Sequence, residues 1–74
     1  MRRTFWRIER YDKGSTTPSW EGEFADFAQA LEYATASLGS GKVESIRFTA
    51  PDGATEAQIK QMIALGTEDL TTEH

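Results

Sequence analysis

Apolar and polar residues alternate at period two along two stretches near the N-terminus. From Thr4 to Asp12, one face carries Thr4, Trp6, Ile8 and Arg10, and the other carries Phe5, Arg7, Glu9 and Tyr11. The β-branched and aromatic content makes this a strand. Lys13-Gly14-Ser15-Thr16-Thr17-Pro18 is a turn cluster. Alternation then resumes over Ser19 to Ala25, with Trp20, Gly22 and Phe24 opposite Glu21 and Glu23. Pairing Ile8 with Gly22 sets Trp6 against Phe24 and Arg10 against Trp20, so the apolar faces coincide. The other face then opposes Arg7 to Glu23, a favourable pair, and Glu9 to Glu21, an unfavourable one. A slip of one residue would send one strand's apolar set to solvent, which selects this register.

The period changes after Phe24. Asp26 is an N-cap candidate, with Gln29 completing a capping-box pattern. Phe27, Ala30, Leu31, Ala34 and Leu38 follow one helical face. Gly39 stands where a left-handed C-cap is expected. Lys42 to Ala50 reads as a third strand, with Ile46 and Phe48 inward and Arg47 outward, and Pro51-Asp52-Gly53 is a turn. Thr55 and Gln58 repeat the capping box for a second helix with an Ile59, Met62, Ile63 stripe, stopped at Gly66. Residues 67–74 are polar and acidic and are expected to fray as a flexible tail.

These elements give a single α+β domain over residues 1–66 in the order ββαβα. A right-handed crossover from the second to the third strand places the first strand centrally, in a three-stranded sheet of order 2-1-3. Both helices are expected on one face of that sheet. The predicted core is Trp6, Ile8, Phe24, Phe27, Leu31, Ala34, Ile46, Phe48, Ile59, Met62 and Ile63.

Composition narrows the function classes. The 74 residues contain no cysteine, so neither a disulfide nor a thiolate is available. The apolar runs fall far short of the roughly 20 residues that span a bilayer, and the charged, alternating N-terminus is not a signal peptide. A cytoplasmic protein without membrane contact is expected. Net charge is −4, unevenly spread: from residue 14 onward only Lys42, Arg47 and Lys60 oppose ten carboxylates. That balance repels nucleic-acid phosphates.

No enzyme chemistry is expected. The single histidine is the terminal His74, and a nucleophilic triad needs a base held in place. Glu21 and Glu23 share a face, but solvent exposure leaves no desolvation to tune them as an acid–base pair. Glu68, Asp69 and Glu73 lack calcium-loop spacing. Gly39-Ser40-Gly41-Lys42 follows a helix and precedes a strand, the reverse of a phosphate loop. No cofactor or metal is expected. The candidate binding residues are Phe5, Arg7, Tyr11, Glu21 and Glu23 on the helix-free face and Tyr33 on the outer face of the first helix. Large amphipathic side chains of this kind are enriched at binding hot spots. The expected function is a non-enzymatic binding protein that inhibits or modulates a macromolecular partner. The alternative is an RNA- or single-strand-binding module that stacks bases on the open sheet through Phe5, Arg7 and Tyr11. Homodimerisation through the outer edges of the second and third strands is a third reading.

Trp20-Glu21-Gly22-Glu23-Phe24 running into Asp26-Phe27-Ala28-Gln29-Ala30-Leu31, in a very short acidic chain without cysteine, resembles the small phage and mobile-element proteins that inhibit CRISPR complexes. The resemblance lies in organisation and carries no functional residue across by position. It implies stoichiometric inhibition of a host protein or ribonucleoprotein, with carboxylates presented where nucleic acid would bind. Glu21, Glu23, Glu32, Glu56, Glu68 and Asp69 are the candidates for that role.

Overall fold

The chain runs β1 (Trp6–Asp12), β2 (Trp20–Phe24), α1 (Phe27–Gly39), β3 (Val43–Thr49), α2 (Glu56–Ala64) and β4 (Glu68–Asp69), in a computed structural model that describes residues 3–71. The β1–β2 hairpin has the register expected from its side chains: Trp6 faces Phe24, Ile8 faces Gly22 and Arg10 faces Trp20. β3 pairs antiparallel with the other side of β1, with Ile8 opposite Phe48 and Arg10 opposite Ile46. A bulge beside Tyr11 and Asp12 leaves Glu44 without an opposite residue and bends the end of the ladder.

The sheet has four strands, not three, in the order β2-β1-β3-β4. β4 lies parallel to β3, with Arg47 opposite Glu68 and Phe48 opposite Asp69. Residues 67–71 are therefore part of the domain rather than a frayed tail. Thr67 is buried at 6% exposure, its hydroxyl donating to the Met62 carbonyl at 2.6 Å. The Leu70 amide donates to the Phe48 carbonyl at 2.8 Å. The Ala50 amide donates to Thr71 Oγ1 at 2.7 Å. His74 and Glu73 lie outside the described residues.

The core lies between the sheet and α1. Trp6, Ile8, Ile46, Phe48 and Ala50 from the strand side meet Ala30 and Ala34 of α1 and Met62 of α2. The small side chains at positions 30 and 34 let α1 approach the sheet closely, which is why both alanines are fully buried. Trp6 fills the space beside them, its ring 5.1 Å from that of Phe27 and 6.1 Å from that of Phe48. α2 lies beside α1 and touches β4, so Met62 alone of its side chains is fully buried. Ile63 is 47% exposed, contrary to its expected place in the core. Phe24, Phe27, Leu31 and Ile59 pack on the core only partly buried.

The two helices start differently. At α2 the Thr55 hydroxyl accepts from the Gln58 amide and the Gln58 side chain accepts from the Thr55 amide, both at 3.1 Å, the reciprocal arrangement expected. At α1 Asp26 occupies the N-cap but makes no side-chain cap bond, so the capping box expected there is absent. The α1 stop also moves. Gly39 is the last helical residue, Ser40 caps the end in right-handed geometry, and Gly41 takes the left-handed conformation at φ 79°. Gly66 does the same for α2 at φ 102°, as expected from its position.

Candidate partner-binding surface

Alternation along β1 puts Arg7, Glu9 and Tyr11 on the face of the sheet that no helix covers. The hairpin register adds Glu21 and Glu23 to that face, and β3 and β4 add Arg47 and Glu68. The charges interlock across all four strands. Arg7 Nη2 donates to Glu21 Oε1 at 2.5 Å, and Arg7 Nε lies 3.9 Å from Glu9 Oε2. Arg7 thus sits between the two carboxylates whose direct opposition looked unfavourable and offsets it. Its ion pair runs diagonally to Glu21 rather than straight across to Glu23, the partner expected from the register. Further along, Arg47 Nε lies 2.9 Å from Glu68 Oε2, and its guanidinium stacks 4.6 Å above the Tyr11 ring. The Tyr11 hydroxyl donates to Glu9 Oε1 at 3.4 Å.

The residues singled out in the sequence do not form one surface. Arg7, Tyr11, Glu21 and Glu23 share the open face, and Phe5, 46% exposed, precedes β1. Tyr33 belongs elsewhere. It is half-buried, its ring 4.6 Å from Trp20 and 5.4 Å from Phe24, and its hydroxyl accepts from Arg10 Nη1 at 3.2 Å. Tyr33 is a packing residue between α1 and β2, not an isolated exposed aromatic. The bond Arg10 donates to the Tyr33 hydroxyl is the main reason Arg10 holds its proton above the usual arginine range, with Asp12 adding to it. Glu32 and Glu56 sit on helices, so the six carboxylates considered as a phosphate mimic do not share a face either.

Sequence reasoning missed the Trp20–Phe24–Tyr33 cluster as a unit. The Trp20 indole folds back over Gly22, so that a Cβ at position 22 would overlap the ring. Beside this cluster an open depression is lined by Phe24, Gln29, Glu32, Tyr33 and Ala36. The aromatic residues in Trp20, Phe24 and Tyr33 and the glycine between the first two were the available signal.

The pairing of charges divides the surface. Arg3, Arg7, Arg10, Arg47 and Lys60 each lie within ion-pair distance of a carboxylate. Among the described residues, Glu23, Asp26, Glu32, Glu44 and Asp69 have no such partner, and the first three belong to the segment from residue 14 to residue 41, which contains no lysine or arginine. Among the same residues no group of three or more His, Cys, Asp or Glu side chains is placed to hold a metal ion. No described helix is long and apolar enough to cross a membrane. No protein family, curated protein or solved structure matches the chain.

Proposed function

We propose that the protein is a small, non-enzymatic binding protein that inhibits or modulates a macromolecular partner in the cytosol. What supports this reading most is the state of its charges. The arginines of the helix-free face are engaged by the chain's own carboxylates, while three of the five described carboxylates without an ion partner, Glu23, Asp26 and Glu32, lie along β2 and the first half of α1. A surface of that kind complements a basic partner. The resemblance to phage inhibitors of CRISPR complexes extends the proposal to a host defence complex whose basic surface the protein would occupy.

The alternative reading, an RNA- or single-strand-binding module on Phe5, Arg7 and Tyr11, has less support. Arg7 would have to surrender Glu9 and Glu21 to meet a phosphate, and Tyr11 is already covered by Arg47. Its basis is the exposed Phe5 and the uncovered sheet.

The two readings separate in one experiment. Tagged wild-type protein and a Glu21→Lys/Glu23→Lys variant are used to capture partners from lysate, with and without nuclease. The proposal expects a nuclease-resistant protein that the folded variant no longer retains. Recovery that disappears with nuclease, or that is equal for both proteins, contradicts it.

A further inference from the structure

We propose that the outer edge of β2 is a strand-addition site for an extended, basic segment of a partner protein. The inference rests on the binding-protein reading above and specifies the partner's chemistry and its mode of attachment.

Among the described residues, the sheet order leaves β2 with a neighbour on one side only. An edge strand presents unpaired amides and carbonyls that template another strand, and proteins usually cover such edges or blunt them with lysine or proline. Among the described residues nothing covers β2, and its only charged side chains are Glu21 and Glu23, which repel an acidic strand but not a basic one. The opposite edge is formed by β4, only two residues long, which pairs with Arg47 and Phe48, so β2 is the longer of the two edge strands.

Side chains on β2 alternate, and an added strand would read that alternation. Glu21 and Glu23 are exposed on the helix-free side. Trp20 and Phe24 point to the other side, where Tyr33 completes an aromatic wall. A matching segment has lysine or arginine at alternate positions and apolar residues between them. The segment around β2 has one sign of charge, with Arg7 and Arg10 of β1 on the inner side of β2. Residues 14–41 carry four carboxylates, Glu21, Glu23, Asp26 and Glu32, and no cation. Among the described residues, only Glu21 of these has an ion partner, Arg7.

The same charges argue against a second copy of the chain. A two-fold pairing of β2 with itself that keeps the aromatic side continuous is centred on Gly22. It sets Glu21 of each chain against Glu23 of the other. Like charges directly opposite across strands are destabilising, and shifting by one residue puts glutamate against the aromatic side. The outer edge of β3, expected as a self-pairing site, is occupied by β4 at Arg47 and Phe48.

The test uses the full isotope-labelled chain and a synthetic peptide of alternating Lys and Val, about nine residues long, enough to span an ordinary strand. A second peptide is N-methylated at alternate amides along one edge, keeping its charge but losing strand pairing. The proposal expects the amide signals of residues 20–24 to shift and gain protection from exchange. It expects the methylated peptide, and the Glu21→Gln/Glu23→Gln variant, to bind at least about tenfold more weakly, a loss of roughly 1.4 kcal/mol each. Equal binding of both peptides overturns strand addition while leaving a charge-driven binding protein intact. Shifts centred on Arg7, Tyr11 and Arg47 also overturn it. So does a free protein that sediments as a dimer with protected β2 amides. If neither peptide binds, strand addition is again overturned, and the nuclease-controlled capture decides the broader reading independently.

Discussion

At one margin of the sheet the chain adds a short strand, β4, beside Arg47 and Phe48, and at the other, among the described residues, nothing lies outside β2. β4 and the residues after it give β3 a neighbour, the Thr67 hydroxyl ties the turn to α2, and Thr71 accepts the amide of Ala50. The adjoining α2 is closed by a reciprocal capping box. Across the molecule β2 has no outer neighbour, and α1 begins at an Asp26 whose side chain caps nothing. The β2 margin is held by aromatic packing of Trp20, Phe24 and Tyr33 instead. Hydrogen bonds specify and close an edge, whereas packing beneath it stabilises the strand and leaves its backbone free. A domain of this size has only about 5–10 kcal/mol of stability to distribute, so the contrast is large on the molecule's own scale.

Removing the latch is the most damaging way to break the contrast. Ending the chain at Gly66 deletes the Thr67–Met62, Leu70–Phe48 and Ala50–Thr71 hydrogen bonds, roughly 3 kcal/mol at about 1 kcal/mol each, and with them the β3–β4 pairing and the Arg47–Glu68 ion pair. Urea unfolding should show the loss, and both sheet edges would then be bare, so light scattering should show concentration-dependent association. The aromatic margin responds next. Gly22→Ala drives a methyl into the Trp20 ring and should cost about 1–3 kcal/mol, as overpacking does. In a Trp20→Ala background the same change should be neutral or stabilising, since alanine is favoured over glycine within a strand. A double-mutant cycle measures that coupling.

Smaller effects sharpen the comparison of the helix starts. Thr55→Ala should cost about 1 kcal/mol, the usual value for losing a cap. Asp26→Ala should cost only a few tenths by the same scale, because no cap bond is lost there. Smallest of all, Glu23→Lys should leave stability within about 0.5 kcal/mol, as a surface change with no partner does. The same variant should measurably weaken capture of a basic peptide, and added salt should narrow the difference between variant and wild type.

The two margins were not equally legible in the sequence. The hairpin could be read down to its register because Trp6, Ile8, Trp20 and Phe24 leave a single pairing that puts all of them on one face. Gly22 was seen as room for a neighbour, but the neighbour is Trp20 of its own strand. β4 was missed for a physical reason: Glu68-Asp69 is two charged residues long, and strand propensity argues against both. What makes it a strand is tertiary, the buried Thr67 and the carbonyl of Phe48 waiting for Leu70. Asp26 had the right composition for a cap, yet composition cannot report where its carboxylate points. Of the candidate binding residues, Glu21 and Glu23 were correctly placed on an exposed face by alternation alone. Tyr33 was misplaced because the helical period does not reveal that β2 lies beneath it. Ile63 was misplaced in the opposite sense, since α2 packs at the sheet's margin and can bury only one side chain fully.

Residue-by-residue amide hydrogen exchange on the free protein tests the difference between the margins most directly. The amides of Ala50 and Leu70 should exchange only through unfolding of the whole domain, while the outward amides among residues 20–24 exchange at nearly the rate of an unstructured chain. Equal, high protection along β2 and β3 would mean that something already covers the β2 edge, and rapid exchange at Ala50 and Leu70 would mean that β4 closes nothing; either result contradicts the account.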